Sequence, residues 1–247
     1  MFKKVRMLTL ALIAMILFTT VTAPCSAATA QQTTAQSNAT TTSPITLSNG
    51  ILPTGTLANG KAFTVSGKLT AKTNLTLVSF IAKDSKGNVA LKVSAVPKSK
   101  TFSLYSIDSK LTFKDLPKGQ YTWTLTASTA SRCDRWYGSF TIKDSDVALS
   151  SYTCPSGTLV KGKTFSCKGI VKSSYKITKV TMSVYTTDGV KQFSASAAPN
   201  AKTFDLHKLD SQMTFRKLNA GQYIYRVSII TSNGIVTNVL SKSFKVK

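Results

Sequence analysis

The sequence predicts an all-β chain built as two tandem β-sandwiches, and three observations predict it. Residues 113–121, FKDLPKGQY, return 102 positions later as FRKLNAGQY at 215–223, and across 101–125 the chain matches its own later copy at 11 of 25 positions without a gap. Within that stretch Tyr121, Trp123 and Leu125 alternate with Thr122, Thr124 and Thr126, the period of a strand buried on one face. Short apolar runs of this kind recur along both copies, separated by Gly, Asn and Pro turns at sandwich spacing.

The elements follow in order. Residues 1–30 open with Lys3, Lys4 and Arg6, continue through an apolar run over 7–18 and close in small residues around Cys25, which predicts a secretory signal peptide. The run is shorter than the roughly 20 apolar residues a spanning helix needs, so no transmembrane span is expected in the mature chain. Lipidation at Cys25 fits poorly, because Pro24 precedes it and the small-residue pattern of such a processing site is missing. Residues 31–46, rich in Thr, Gln, Ser and Asn, are expected to form a disordered linker.

The first module is expected over 47–143, with strands near 62–69, 75–83, 89–96, 101–105, 110–115, 120–128 and 136–143. The second, over 147–247, repeats the order near 164–171, 177–186, 190–197, 203–206, 212–217, 222–230 and 239–246. About 100 residues each is enough for a separate core. The short polar link Asp144-Ser145-Asp146 predicts modules set end to end with limited bending.

In both copies a strand, a turn ending in Gly119 or Gly221, and a Tyr at the start of the next strand form the arrangement of a tyrosine corner, in which the phenol hydroxyl ties back to the turn backbone. With PSGTL, GKxFxxxG and the F..L..GQY corner, residues 47–247 resemble the immunoglobulin-like or fibronectin-type modules that recur as accessory repeats in secreted cell-wall proteins of Gram-positive bacteria. The resemblance implies an immunoglobulin-like sandwich and specifies a fold far better than an activity.

Charge narrows the function classes. The chain carries +23, and removing Lys3, Lys4 and Arg6 with the leader leaves +20; all nine acidic residues are Asp. Lys outnumbers Arg 27 to 5, so the charge is mobile ammonium rather than the rigid fork that reads phosphates or bases bidentately. Nucleic acid is therefore not an expected partner. In an exported protein the natural polyanions are wall polymers such as teichoic acids, anionic glycans and acidic lipid surfaces. Solubility, with Lys guarding sheet edges, is the competing reading of the same charge.

Comparing the copies isolates the residues that differ. Leu52 becomes Cys154 and Val65 becomes Cys167, two changes in one copy that predict a Cys154–Cys167 disulfide, with two buried thiols as the alternative. Cys133 is then left over, whether free, bridged between chains or competing for Cys154. Residues 131–137 have no counterpart in the second copy, and they place Arg132, Arg135, Trp136 and Tyr137 in the expected loop between the last two strands. Arginine beside an aromatic surface suits a sugar or an anionic group. The competing reading has Trp136 and Tyr137 capping the core and Asp134 paired with Arg132 or Arg135. Trp123 reads as core.

Catalytic chemistry is not expected. His207 is the one histidine, read as a surface residue, and it has no neighbours at metal-ligand spacing. Asp108 and Asp210 are the acidic residues shared at the repeat offset, each followed by Ser, which points to a turn held by side-chain hydrogen bonds. No phosphate loop or nucleophile motif occurs, and no cofactor is implied. The expectation is a secreted, non-catalytic, envelope-associated protein attracted to anionic wall polymers or glycans. The alternative is a secreted module, adhesin or inhibitor, that recognises a protein partner.

Overall fold

Alternation around Tyr121, Trp123 and Leu125 becomes a central strand because both of its neighbours also turn apolar side chains to one face. The computed structural model describes residues 44–234 and 236–247. The expected signal peptide, Cys25 and most of the expected linker lie outside the described residues. The linker's last residues do not behave as a tether: Ile45 is buried and β1 starts at Thr46.

The first set of strands is β1 (Thr46–Ile51), β2 (Gly55–Ala58), β3 (Ser66–Leu75), β4 (Leu77–Asp84), β5 (Val89–Ala95), β6 (Ser99–Ser103), β7 (Gly119–Ser128) and β8 (Cys133–Lys143). They form two sheets, β1-β3-β6 facing β2-β8-β7-β4-β5, with β2 parallel to β8 and the other pairings antiparallel. The second set is β9 (Ala148–Thr153), β10 (Gly157–Leu159), β11 (Lys168–Thr186), β12 (Lys191–Ala197), β13 (Ala201–Asp205), β14 (Gly221–Thr231) and β15 (Val236–Val246). Here β11 runs unbroken through the positions of β3 and β4, so its first half pairs with β9 and β13 and its second half with β14 and β12. The fold is an all-β sandwich in each copy.

Each core is organised on one phenylalanine from the repeated motif. Phe113 meets Phe63, Phe80 and Phe140 edge-on at 5.6, 6.1 and 5.8 Å between ring centroids. Phe215 meets Phe165, Phe193 and Phe244 edge-on at 5.5, 5.4 and 6.0 Å. Such offset geometry is the favoured arrangement of two quadrupoles and adds about 1 kcal/mol per pair to the burial itself. Both tyrosine corners are formed: Tyr121 Oη donates to the Pro117 carbonyl at 2.7 Å, and Tyr223 Oη to the Asn219 carbonyl at 2.9 Å. Trp123 is in the core, stacked on Phe80, with its indole N–H donated to the Pro53 carbonyl at 2.8 Å.

Two expected strands are not strands. Residues 110–115 and 212–217 alternate in hydropathy, but Phe113–Asp115 and Phe215–Lys217 are single 3-10 turns that drive Phe113 and Phe215 into the core. A tight helical turn can bury Leu111, Phe113 and Leu116 together, which a strand of period two could not. β1, β2, β9 and β10 all lie where no strand is expected; four of the six residues in β1 and five of the six in β9 are exposed, which hides their alternation.

Candidate functional site

The residues 131–137 that distinguish the first copy are mostly not a loop. Thr129 and Arg132 close a short turn, the Thr129 N–H donating to the Arg132 carbonyl at 2.8 Å, and from Cys133 onward the chain is β8. Successive side chains on a strand point to opposite faces. Trp136 lies across from buried Leu125 and packs on the core, whereas Arg135 and Tyr137 lie across from Thr126 and Thr124 on the outer face. Arg132 sits in the turn, its Nε donating to Asp134 Oδ2 at 2.7 Å, and that same oxygen accepts the Ile45 N–H at 2.8 Å. Arg132, Arg135, Trp136 and Tyr137 therefore do not converge on one ligand; only Arg135 and Tyr137 share a face.

The expected disulfide is not formed: Cys154 and Cys167 are free thiols. They belong to a three-residue exchange with the other copy, in which Leu52, Val65 and Trp123 are replaced by Cys154, Cys167 and Tyr225. Tyr225 is fully buried at the position of Trp123, with the Cys167 and Cys154 thiols around its phenol. Burial pushes the Cys167 thiol up to about 12 and raises that of half-buried Cys154.

Lysine is displayed on nearly every surface. All described lysines are exposed except half-buried Lys68. Among the described residues only Lys114 and Lys118 pair with a carboxylate, at 3.2 Å from Asp115 and 2.9 Å from Asp144. At one edge of the second copy Lys161 bonds through its backbone N–H to the carbonyl of Lys247, next to Lys245 on β15. Exposed His207 stands 3.9 Å from Asp210, and no metal-binding cluster occurs among the described residues.

Sequence reasoning missed a buried arginine. Arg226, on β14, is 5% exposed and reaches out of the second copy into the first. Its Nη2 donates to the Thr64 carbonyl at 2.8 Å, and its guanidinium lies over Phe63 of the first copy and Tyr185 of its own, at 5.5 and 5.4 Å from the ring centroids. Asp108 faces the same charge. This carboxylate also accepts the Val65 N–H at 2.6 Å, so the shared Asp ties a turn to a distant strand rather than to its own neighbours. Burial pushes Asp108 up to about 6, against that hydrogen bond and the charge of Arg226. Burial also draws the Arg226 guanidinium down, while Tyr185 and Asp108 hold it up.

Around Arg226 the two copies meet over a broad joint. Thr64 and Ser241 share a hydroxyl bond of 2.6 Å, and Ser103 Oγ donates to the Thr187 carbonyl at 3.2 Å. Gly189 lies so close to Asn49 that a Cβ there would stand 2.0 Å from the Asn49 carbonyl oxygen. All three linker residues are tied: Asp144 to Lys118 and Asn59, Ser145 to Thr237, and Asp146 to Ser173 and Ser174. The expected end-to-end arrangement thus becomes the outer face of one sheet seated on the neighbouring copy. The sequence carried a signal for this in the repeat comparison, since outward Thr122 and Thr124 become Ile224 and Arg226.

No family model matches the chain, and no curated protein matches it. Among solved structures, the Clostridium thermocellum CbhA fibronectin(III)-like modules align over 83% of this chain and 94% of theirs, at 14% identity and a TM-score of 0.31. A two-domain fibronectin type-III segment of chicken tenascin aligns over 82% and 97%, at 14% identity and a TM-score of 0.22. The BSP domain of a biofilm-associated protein aligns over 82% of this chain and 29% of that one, at 12% identity and a TM-score of 0.27.

Proposed function

We propose that this chain is an exported, non-catalytic protein that associates with the envelope of the cell producing it through anionic wall polymers or glycans. The observation that carries the reading is the imbalance of surface charge: exposed lysines on both copies, with two lysine–carboxylate pairs among the described residues. A lysine ammonium is a strongly hydrated point charge on a flexible stem, suited to a polyphosphate or polyuronate of no fixed geometry. Attraction of this kind is long-ranged at low ionic strength and fades over a Debye length of about 8 Å at 0.15 M salt. The outer-face pair Arg135 and Tyr137 offers the first copy a second mode, a cation beside an aromatic ring, on which a sugar or acidic group can rest.

The test is cosedimentation with purified walls, intact and stripped of teichoic acid, across a salt series. Binding that falls steeply with salt and is lost with the anionic polymer supports the reading. Binding indifferent to both overturns it, and capture of a single protein that persists on stripped walls favours protein recognition instead.

A further inference from the structure

The joint between the copies is made by a receptor that the second copy also possesses. In the first copy Arg226 meets the Phe63 ring and the Thr64 carbonyl, with the Asp108 carboxylate near enough to act on its charge but not paired with it. At the repeat offset the second copy has Phe165, Ser166 and Asp210. Their geometry is the same: Phe165 meets Phe215 at 5.5 Å and 70°, as Phe63 meets Phe113 at 5.6 Å and 76°, and Asp210 accepts the Cys167 N–H at 2.6 Å, as Asp108 accepts that of Val65. The difference is cover. Phe63 and Thr64 are buried, whereas Phe165 is half-buried and Ser166 exposed, and among the described residues no arginine reaches them.

The first copy has a corresponding outer face, in which Thr124 holds the repeat position of Arg226 and the arginine, half-buried Arg135, comes instead from the neighbouring strand. Arg226 projects from the outer face of β14, which is buried along Ile224 and Arg226 because the first copy sits on it. The matching face of the first copy carries Thr122, Thr124 and Thr126 on β7 with Arg135 and Tyr137 on β8. Its Tyr137 is 37% exposed, and Arg135 makes no ion pair among the described residues. Each outer face thus bears one arginine near one tyrosine, Arg226 with Tyr185 in the second copy and Arg135 with Tyr137 in the first.

We propose that the chain associates head to tail with a second copy of itself, the Arg135 face of one molecule seating on the Phe165–Ser166–Asp210 receptor of the next. Such a contact is heterologous: it leaves one free half at each end and adds molecules without closing. Two features make it weaker than the joint within one chain. Lys168 stands at the receptor rim where the first copy has Ser66, and Ser166 Oγ already donates to Asp210 Oδ2 at 2.8 Å. In the first copy the corresponding Thr64 hydroxyl pairs with Ser241 across the joint instead of with Asp108. Because both molecules are strongly cationic, association strengthens as salt screens their repulsion, opposite in sign to polyanion binding.

Sedimentation velocity of the full chain over a concentration series, at 0.1 and 0.5 M salt, is the experiment. The expected result is a weight-average mass that climbs past the dimer at 0.5 M, with Asp210→Asn and Arg135→Ala each weakening association at least tenfold. The asparagine carbonyl can still accept the Cys167 N–H, and Arg135→Ala reads the same contact from its other half should Asp210→Asn fail to fold. An equimolar mixture of the two variants retains one good half of each kind and forms dimers that grow no further. A chain that stays monomeric at both salts overturns the proposal, as does a closed dimer unaffected by either substitution.

Discussion

Arg226 of the second copy donates a hydrogen bond of 2.8 Å to the carbonyl of Thr64 in the first, 162 positions earlier, while its guanidinium is held between Phe63 and Tyr185. Replacing it by the residue its twin carries, Arg226→Thr, strands a buried carbonyl and removes the cation facing Asp108. The loss is about 3 kcal/mol. Scanning calorimetry checks it: one coupled transition in the parent chain is expected to split into two. Arg226→Lys is expected not to restore the single transition, because an ammonium neither stacks nor forks.

Gly87 and Gly189 occupy the same turn in the two copies, both in the left-handed region at φ of 86° and 80°. Alanine costs about 1 kcal/mol at either position from backbone strain. A Cβ at Gly87 meets nothing within 4 Å, whereas at Gly189 it collides with the Asn49 carbonyl oxygen. Gly189→Ala is therefore expected to open the joint and Gly87→Ala to leave it shut. Small-angle scattering separates them, the first variant alone showing a larger radius of gyration.

Burial raises both second-copy thiols, Cys167 up to about 12. Since the thiolate is the reactive form, alkylation at pH 8 is expected to label Cys154 at least tenfold faster than Cys167 in the folded chain, with parity after denaturation. Peptide mass spectrometry reads each site separately. Equal rates in the folded chain would contradict the burial of Cys167.

Asp108 has a folded pKa of about 6 against an ordinary value of 3.8, chiefly through burial. The folded state therefore holds a proton that the unfolded state releases between those values. The contribution of Asp108 to stability is expected to be fully present below pH 4 and to be lost, by up to about 3 kcal/mol, as pH rises through 6. Urea denaturation from pH 3.5 to 7.5 tests this, with Asp108→Asn flattening the slope across that window.

Much of the fold was legible because it rests on local chemistry. A turn glycine followed by Tyr, with the ring alternating inward, is enough to specify a corner and a core strand, and both corners are where the pattern put them. Leu111 and Phe113 misled because a 3-10 turn and a strand can bury the same two residues, and only the surrounding aromatic rings decide between them. Arg226 was hidden for a different reason. Arginine on an outward strand position ordinarily faces water, and only a second surface brought against it changes that. Arg135 and Trp136 were set side by side by the sequence and apart by the pleat, once β8 proved to begin at Cys133.

With all three linker residues anchored and Gly189 pressed on Asn49, the two halves have little freedom to swing about each other. A long polyanion lying across both would meet one stiff ruler of charges, so the loss of tumbling freedom on capture is incurred once for the pair. A hinged pair of the same composition would grip more slowly and let go piecemeal.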